Sequence, residues 1–332
     1  MKNWLSPRST VGMALIAVAL IALPFVAGMG GQAWVRILNF AMLYVFLALG
    51  LNIVVGFAGL LDLGYIAFYA VGAYTWALLA SPHFGLHLPF WVILPIGAVL
   101  AYFFGVVLGS PTLKLRGDYL AIVTLGFGEI VRIFMNNLNA PINITNGPQG
   151  ITLIDPVSIG AFSFTGTSQI LGLTLGGPQK YYFLLVALAI LVIIINVRLQ
   201  HSRIGRAWQA IREDEIAAKA VGINTRNIKL LAFAMGASFG GIAGGVFAAM
   251  QGFVSPESFS LMESIMILAM VVLGGMGHIP GVILGAVLLT VLPEVLRYGV
   301  GPLQMALFGK MVVDPESLRM LLFGLALVLV MR

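Results

Sequence analysis

Long apolar runs alternate along the chain with short polar segments, and few residues are charged. About 20 apolar residues are needed for a helix to cross the hydrocarbon core of a bilayer. Runs of that order predict about ten transmembrane helices, near Val11–Ala27, Ile37–Val55, Ile66–Ala80, Phe90–Leu108, Asp118–Met135, Tyr181–Val197, Ile228–Met250, Leu261–Leu273, Gly281–Leu296 and Leu318–Met331. The third and eighth runs are short enough to be broken or re-entrant. The pattern therefore predicts an all-α, polytopic membrane protein, with residues 1–332 forming a single transmembrane domain.

Two longer polar segments, residues 136–179 and residues 198–229, interrupt this pattern. The first is rich in Asn, Gly, Pro, Ser and Thr, whereas the second concentrates lysine and arginine. Because lysine and arginine accumulate on the cytoplasmic side of membrane proteins, the second segment is predicted to be a cytoplasmic loop and the first a periplasmic loop. An even number of crossings then puts both termini in the cytoplasm, together with Lys2, Arg8, Lys114, Arg116 and Arg332.

Composition narrows the possible chemistry. Hydrophobic residues make up 60% of the chain, and its 40 glycines suit close helix packing in a membrane. Cysteine is absent, which excludes disulfides, thiolate metal sites and cysteine nucleophiles. The net charge of +6 lies mostly in the predicted cytoplasmic segments, so it indicates membrane topology rather than nucleic-acid binding. The first apolar run is longer than the 7–15 residues of a signal-peptide core, and we expect it to be a retained helix.

The charged segment Arg203–Lys229 has specific local chemistry. Good helix formers fill Arg206–Val221, and Gly222 stands where a left-handed C-cap is favourable. Asn224 or Thr225 can cap the following membrane helix. Several acidic and small residues offer charge and close approach to another protein, namely Glu213, Asp214, Glu215, Ala217, Ala218 and Ala220. By residue types alone, a solvated connecting loop and a docking surface both remain open.

Polar residues inside the apolar runs are candidates for a translocation pathway, since membrane-depth polar groups are often functional. Asp62 lies between two glycines in a segment where the helix is expected to break, although a turn in water would explain it equally well. Glu129 can pair with Arg132 on one helical face, as a functional or a structural ion pair. The candidate pathway residues are Asn52, Asp62, Thr124 and Glu129.

Two look-alike motifs lead to different conclusions. Gly236–Gly240 satisfies G-x-S-x-G around Ser238, but a nucleophile elbow needs a strand before it, and this segment is an apolar helical run. Close helix packing explains it better than an intramembrane hydrolase. No segment matches the phosphate-binding loop G-x-x-x-x-G-K-[ST]; Gly309-Lys310 lacks the upstream glycine. The chain is therefore not expected to hydrolyse ATP itself.

Several long motifs carry a family resemblance. They are GLNIVVG at residues 50–56, GLLDLGY at residues 59–65, LRGDYLAIVTLGFGE at residues 115–129, NGPQGI at residues 146–151 and VLGGMG at residues 272–277. Together they resemble the larger of the two permease subunits of high-affinity branched-chain amino-acid importers of the ATP-binding-cassette (ABC) class. The segment EIAA at residues 215–218, followed by Gly222, is similar to the EAA loop of such permeases, with Ile216 as an insertion. The R-P-x-G-L tail of this subunit is missing, so a truncated or unusual C-terminus is expected.

The resemblance implies a division of labour. In the family, a periplasmic binding protein delivers leucine, isoleucine or valine, two homologous permease subunits form the pathway through the lipid bilayer of the bacterial inner membrane, and two ATPase subunits use ATP and Mg²⁺. This chain would bind no cofactor and no nucleic acid, and it would not be an enzyme. The EAA-like loop would couple it to the ATPases through Arg212, Asp214, Glu215, Ala217, Ala218 and Gly222. The alternative is a self-contained, ion-coupled secondary amino-acid carrier.

Overall fold

The computed structural model describes residues 7–308, apart from positions 114, 116, 161, 171 and 172, together with the isolated positions 317, 321 and 324. Helices dominate this part of the chain, which confirms the predicted all-α class. The helices are α1 (Pro7–Met29), α2 (Gln32–Asn52), α3 (Ile66–Leu79), α4 (Phe90–Thr112), α5 (Asp118–Asn137), α6 (Gly177–Gln200), α7 (Arg203–Glu213), α8 (Glu215–Ala220), α9 (Thr225–Gln251), α10 (Leu261–Gly274) and α11 (Ile279–Phe308).

Seven helical segments in the described part of the chain are long and apolar enough to cross a membrane, and Val18–Met29 and Ile66–Leu79 are shorter apolar helices. Nine of the ten predicted runs therefore coincide with helices α1 to α6 and α9 to α11. The tenth predicted run, Leu318–Met331, lies outside the described residues apart from two isolated helical positions. The basic residues predicted to be cytoplasmic at 2, 114, 116 and 332 also lie outside them.

Helix α9 packs against both α3 and α4 at the centre of the molecule. Glycines make these contacts possible: Gly72 on α3 faces Gly241 on α9, and Gly244 faces the carbonyl of Tyr69. A Cβ on Gly72 or Gly244 would collide with the opposing backbone. Because lipid provides no hydrophobic drive between helices, such close backbone packing is a main source of their association.

Helix α2 does not continue regularly towards α3. It ends in a π-helical turn at Ile53–Phe57, and residues 58–65, here called the break, form neither helix nor strand before the 14-residue α3 begins. The eighth predicted run has the same character, because α10 is also only 14 residues long and follows a 3-10 turn at Pro256–Ser258. Both runs are therefore short helices, and the third follows an irregular segment, as expected for a broken span.

Two small antiparallel hairpins lie in the polar segment between α5 and α6. Their strands are β1 (Ser158–Ile159) with β2 (Phe162–Ser163), and β3 (Ser168–Ile170) with β4 (Leu173–Leu175). The first hairpin is held by Lys180 of α6, whose buried Nζ donates a hydrogen bond to the Ser163 carbonyl at 3.0 Å and lies 5.0 Å from the centre of the Phe162 ring. These strands are the main departure from an all-helical chain in the described residues.

Candidate functional site

The charged segment between α6 and α9 folds into two short helices. The single helix predicted over Arg206–Val221 is wrong in this respect, because Asp214 is extended, with φ −154° and ψ 111°, between α7 and α8. Its carboxylate accepts hydrogen bonds from the backbone N–H groups of Ile216 at 2.7 Å and Ala217 at 3.1 Å. An aspartate that caps a new helix competes with continuation of the old one. The two helices therefore meet at a bend.

A sharp turn also ends α8. Gly222 has a φ of 87°, the left-handed conformation that the sequence predicted there. The side chain of Asn224 then accepts a hydrogen bond from the backbone N–H of Asn227 at 3.2 Å and caps α9. Of the two predicted capping residues, Asn224 is the one used. Helix α8 is thus a separate, six-residue element between two turns.

Helix α7 is fixed to the membrane helices by one aromatic side chain and one cation. Trp208 is fully buried, and its indole N–H donates a hydrogen bond to the Ile228 carbonyl in α9 at 2.7 Å. The guanidinium of Arg212 donates to the Gly56 carbonyl in the π-helical turn at 2.5 Å. Hydrogen bonds from a charged donor are the stronger kind. The polar segment is therefore tied to α9 and to the end of α2.

Arg212 belongs to a cluster that we call the junction, formed by Asn52, Gly56, Arg212 and Gly277. Asn52 is buried, and its side-chain oxygen accepts a hydrogen bond from the backbone N–H of Gly277 at 2.8 Å. Gly56 packs against Asn52 and Gly277 too closely to accept a Cβ. The junction thus joins the polar segment to the end of α2 and to the turn between α10 and α11. Asn52, predicted for the pathway, lies within it.

Glu215 braces α8 against α9. Its carboxylate lies 2.7 Å from the ammonium of Lys229 and 3.0 Å from that of Lys219, and it accepts a hydrogen bond from Thr225 at 3.3 Å. Partial burial raises the pKa of this carboxyl, but the hydrogen bonds and charges of the two lysines outweigh burial and lower the pKa to about 2. Glu215 is therefore ionised throughout the physiological range, with its charge engaged inside the chain.

The outer face of α8 is apolar. Ile216 is 72% exposed and Val221 is 77% exposed, and the small side chains of Ala217 and Ala220 are also exposed between them. Ala218 faces inward and is buried. Large exposed aliphatic residues on a short helix that is braced from behind are typical of a contact surface for another protein.

Two further predicted pathway residues, Asp62 and Thr124, meet at the break. Asp62 is buried, and one of its carboxylate oxygens accepts a hydrogen bond from the Gly64 N–H at 2.9 Å. Thr124 on α5 accepts one from the Leu63 N–H at 3.0 Å, and both side chains line the same small space. On the other side, the Ser264 hydroxyl of α10 donates to the Leu63 carbonyl at 2.6 Å. The break is therefore held by α5 and α10.

Glu129, the last predicted pathway residue, lies apart from the others. It forms the expected ion pair with Arg132, at 2.9 Å, and Arg132 also contacts Glu257 at 3.2 Å. Asn136 adds a hydrogen bond to Glu257 at 3.3 Å. This network joins α5 to the turn before α10. Its geometry is that of an interhelical brace, and it does not meet Asp62 or the junction.

Sequence reasoning missed two features. Glu263 in the first turn of α10 accepts a hydrogen bond from the Tyr44 hydroxyl at 2.7 Å, beside a cavity of about 210 Å³. Its only signal in the sequence is a single acid at the start of an apolar run. A second cavity, of about 380 Å³, is lined by Arg36, Asn39 and Gln251 and by residues 164–166, which follow the first hairpin. Ser238, by contrast, is a helix residue whose hydroxyl donates to the Met235 carbonyl.

These features define a multi-pass helical membrane protein with broken spans and an ordered polar element between α6 and α9. Residues 33–331 match the model of a family described as the permease component of branched-chain amino acid transport systems, and the chain belongs to that family. The predicted resemblance is thereby confirmed, and the protein is a transport component.

Three relatives show how the chain sits within the family. It is 49% identical to the high-affinity branched-chain amino acid transport system permease protein LivM of Escherichia coli (strain K12), over 87% of this chain and 70% of that protein. It is 27% identical to the probable LivM permease of Methanocaldococcus jannaschii, over 79% and 71%. It is 26% identical to the permease protein LivH of Salmonella typhimurium (strain LT2), over 75% and 80%. No solved structure matches the chain at a significant level.

Proposed function

We propose that this chain is a membrane subunit of an ABC importer that carries leucine, isoleucine and valine across the bacterial inner membrane. Family membership and the 49% identity to a protein named as a high-affinity branched-chain amino acid permease support the substrate class. The separate, more distant similarity to LivH supports a second, homologous permease subunit as partner. In this proposal a periplasmic binding protein delivers the amino acid, and both termini lie in the cytoplasm.

The observation that carries the coupling role is the exposed apolar face of α8. In the proposal this face, with Ile216, Ala217 and Val221, inserts into a groove of an ATPase subunit. Asp214 and Gly222 set the two turns that present it, and Glu215 and Ala218 hold it against α9. In this proposal the charged groups near α8 hold the helix in place, and the contact with the ATPase subunit is made by apolar side chains.

The junction gives a physical route from α8 to the membrane helices. A displacement of α8 and α7 acts on the Arg212 guanidinium, which holds the Gly56 carbonyl, and Gly56 packs on Asn52 and Gly277. These residues end α2 and begin the return to α11, beside two short or broken spans. Broken helices can shift with little loss of regular hydrogen bonding. Movement of the ATPase subunits would thereby open or close the translocation pathway of the amino acid next to the break.

The energy source in this proposal is external to the chain. The sequence has no phosphate-binding loop, so ATP and Mg²⁺ are used in two partner ATPase subunits, and this chain binds neither. On the opposite side, the cavity of about 380 Å³ lined by Arg36 and Asn39 offers polar groups to an arriving zwitterion. The chain is thus a conduit rather than an enzyme.

A matched pair of variants tests the coupling role. Ile216→Glu puts a charge on the α8 face, whereas Leu153→Glu does so on an equally exposed residue, 75% accessible, between α5 and α6. In the reconstituted complex, Ile216→Glu should lower substrate-stimulated ATP hydrolysis and ATP-driven leucine uptake at least tenfold, with normal amounts of chain in the membrane. Leu153→Glu should leave ATP hydrolysis by the ATPases unchanged. Equal stimulation in both variants would contradict the coupling role.

An ion-coupled carrier is the second candidate, favoured by the buried carboxylate of Asp62 at the break. Such a carrier would accumulate leucine in liposomes that contain this chain alone, under a proton or sodium gradient. The importer instead requires the partner permease, both ATPases, the binding protein and ATP. Gradient-driven uptake by the chain alone would overturn the importer proposal.

A further inference from the structure

A cavity of about 210 Å³ lies between α2, α3, α9 and α10. Its walls are aromatic and aliphatic apart from Ser258 and one carboxylate, and its main lining residues are Phe40, Leu43, Tyr44, Leu47, Phe247 and Glu263. A largely apolar lining with a few polar groups is usual for a small-molecule site. Its size is comparable with that of a single aliphatic amino acid.

Glu263 is the one ionisable carboxylate on this cavity. The Tyr44 hydroxyl donates a hydrogen bond to it at 2.7 Å, and within the described part of the chain no lysine or arginine forms an ion pair with it. The residue lies in a segment long and apolar enough to span a membrane. A carboxylate in such surroundings gains from a cation that approaches it. The cavity therefore combines an apolar wall with a single anionic point.

The position of the cavity beside the break adds a second, independent argument. Ser264, next to Glu263, donates to the Leu63 carbonyl at 2.6 Å, and Ile66 and Tyr69 at the start of α3 also line the cavity. Because α3 starts directly after the break, the cavity lies where the third span is interrupted. In membrane transporters, substrate sites occur at such discontinuous helices.

We propose that this cavity is a transient binding site for an L-amino acid with an aliphatic side chain. The α-ammonium group of the substrate lies at the Glu263 carboxylate, and its side chain lies among Phe40, Leu43 and Phe247. Tyr44 is a positioning residue that holds the carboxylate towards the cavity through its hydrogen bond. The substrate class rests on the proposed function, whereas the site and the role of Glu263 follow from the cavity.

A purely structural role for Glu263 makes a different prediction. Acidic residues in the first turn of a helix are stabilised by the helix dipole, and Glu263 occupies the first turn of α10. If that were its whole role, its loss would lower stability without changing which charged group of a ligand is recognised. Ligand selectivity therefore separates the two roles.

The test uses a photoreactive diazirine analogue of L-leucine and the full-length chain, purified with its associated subunits in lipid nanodiscs. Cross-linked residues are mapped by mass spectrometry. L-leucine and 3-methylbutylamine, which keeps the ammonium but lacks the carboxylate, should suppress labelling of the cavity residues. 4-Methylpentanoate, which lacks the ammonium, should suppress it at least tenfold less effectively. Absence of labelling in this cavity, or equal competition by the amine and the acid, would overturn the site.

Variants sharpen this test. Glu263→Gln should reduce labelling at least tenfold, whereas Glu294→Gln, at a carboxylate paired with Arg297 on α11, should leave it unchanged. Unchanged labelling in Glu263→Gln would also overturn the proposal. If Glu263→Gln does not fold, the competition series on the unaltered chain decides alone.

Failure of the site and failure of the proposed function have different signatures. ATP-dependent leucine uptake without labelling of this cavity removes the site and leaves the importer. Labelling of the cavity without ATP-dependent uptake, in a complex with all partners present, removes the importer and leaves the site.

Discussion

The polar element α7–α8 and the break between α2 and α3 differ in which residues pair with their polar groups. Around α8 the charges are satisfied by neighbours close in sequence, as Glu215 is by Lys219 and Lys229, and apolar side chains are left exposed. At the break the backbone groups of Leu63 form hydrogen bonds with Thr124 and Ser264, from helices far along the chain. The first region is an ordered surface, and the second is an irregular segment that the surrounding helices hold in place.

This difference decides where each region tolerates change. At Gly64 in the break, an added atom meets the backbone of α5, which has no room to move in a packed core. At Gly222, which follows α8, nothing lies close to an added atom, and only the local backbone conformation resists it. Substitution of each of these two glycines by alanine therefore compares the two regions.

The largest effect is expected for Gly64→Ala. A Cβ there would overlap the carbonyl of Thr124, so α5 and the break must separate. We expect the free energy of unfolding to fall by about 3 kcal/mol, at the upper end of the usual range for overpacking. The yield of folded protein should also drop sharply. Thermal unfolding of the purified chain in detergent would measure it.

Gly222→Ala is the matched counterpart. Nothing lies within 4 Å of the position of a Cβ at Gly222, and only its φ of 87° opposes a side chain. We expect the free energy of unfolding to fall by about 1 kcal/mol, the order of magnitude for an L-residue in a left-handed conformation. Any structural change should be confined to the end of α8. If both variants lose the same stability, the break is not held by the surrounding helices as described.

Local chemistry explains what could be predicted from the sequence. Hydropathy sufficed for nine of the helices, and the turn at Gly222 and the cap at Asn224 follow from residue types at adjacent positions. The bend at Asp214 was missed because good helix formers on both sides favour one continuous helix, although Asp214 caps the start of α8. The bond between Asn52 and Gly277 joins residues 225 positions apart, and no periodicity reveals such a contact.

A slightly smaller difference in stability is expected between variants of the two lysines that contact the Glu215 carboxylate. Lys229 is 10% exposed, whereas Lys219 is 51% exposed. We expect Lys229→Met to lower the free energy of unfolding by about 2 kcal/mol, between the values for buried and surface pairs. Lys219→Met, the matched control, should lower it by only about 0.3 kcal/mol. Similar losses in both variants would show that burial does not distinguish the pairs.

The smallest effect concerns pH. The folded-state pKa of Glu215 is lowered from 4.5 to about 2, so its ion pairs contribute stability that is fully present above pH 4.5 and is lost as the pH falls through the folded pKa. The difference in thermal midpoint between the unaltered chain and Glu215→Gln should therefore stay constant from about pH 7.5 to pH 5. It should shrink only below pH 4.5. A difference that already shrinks between pH 7 and pH 5 would mean that Glu215 titrates in that range, and that α8 is not braced by a permanently charged group.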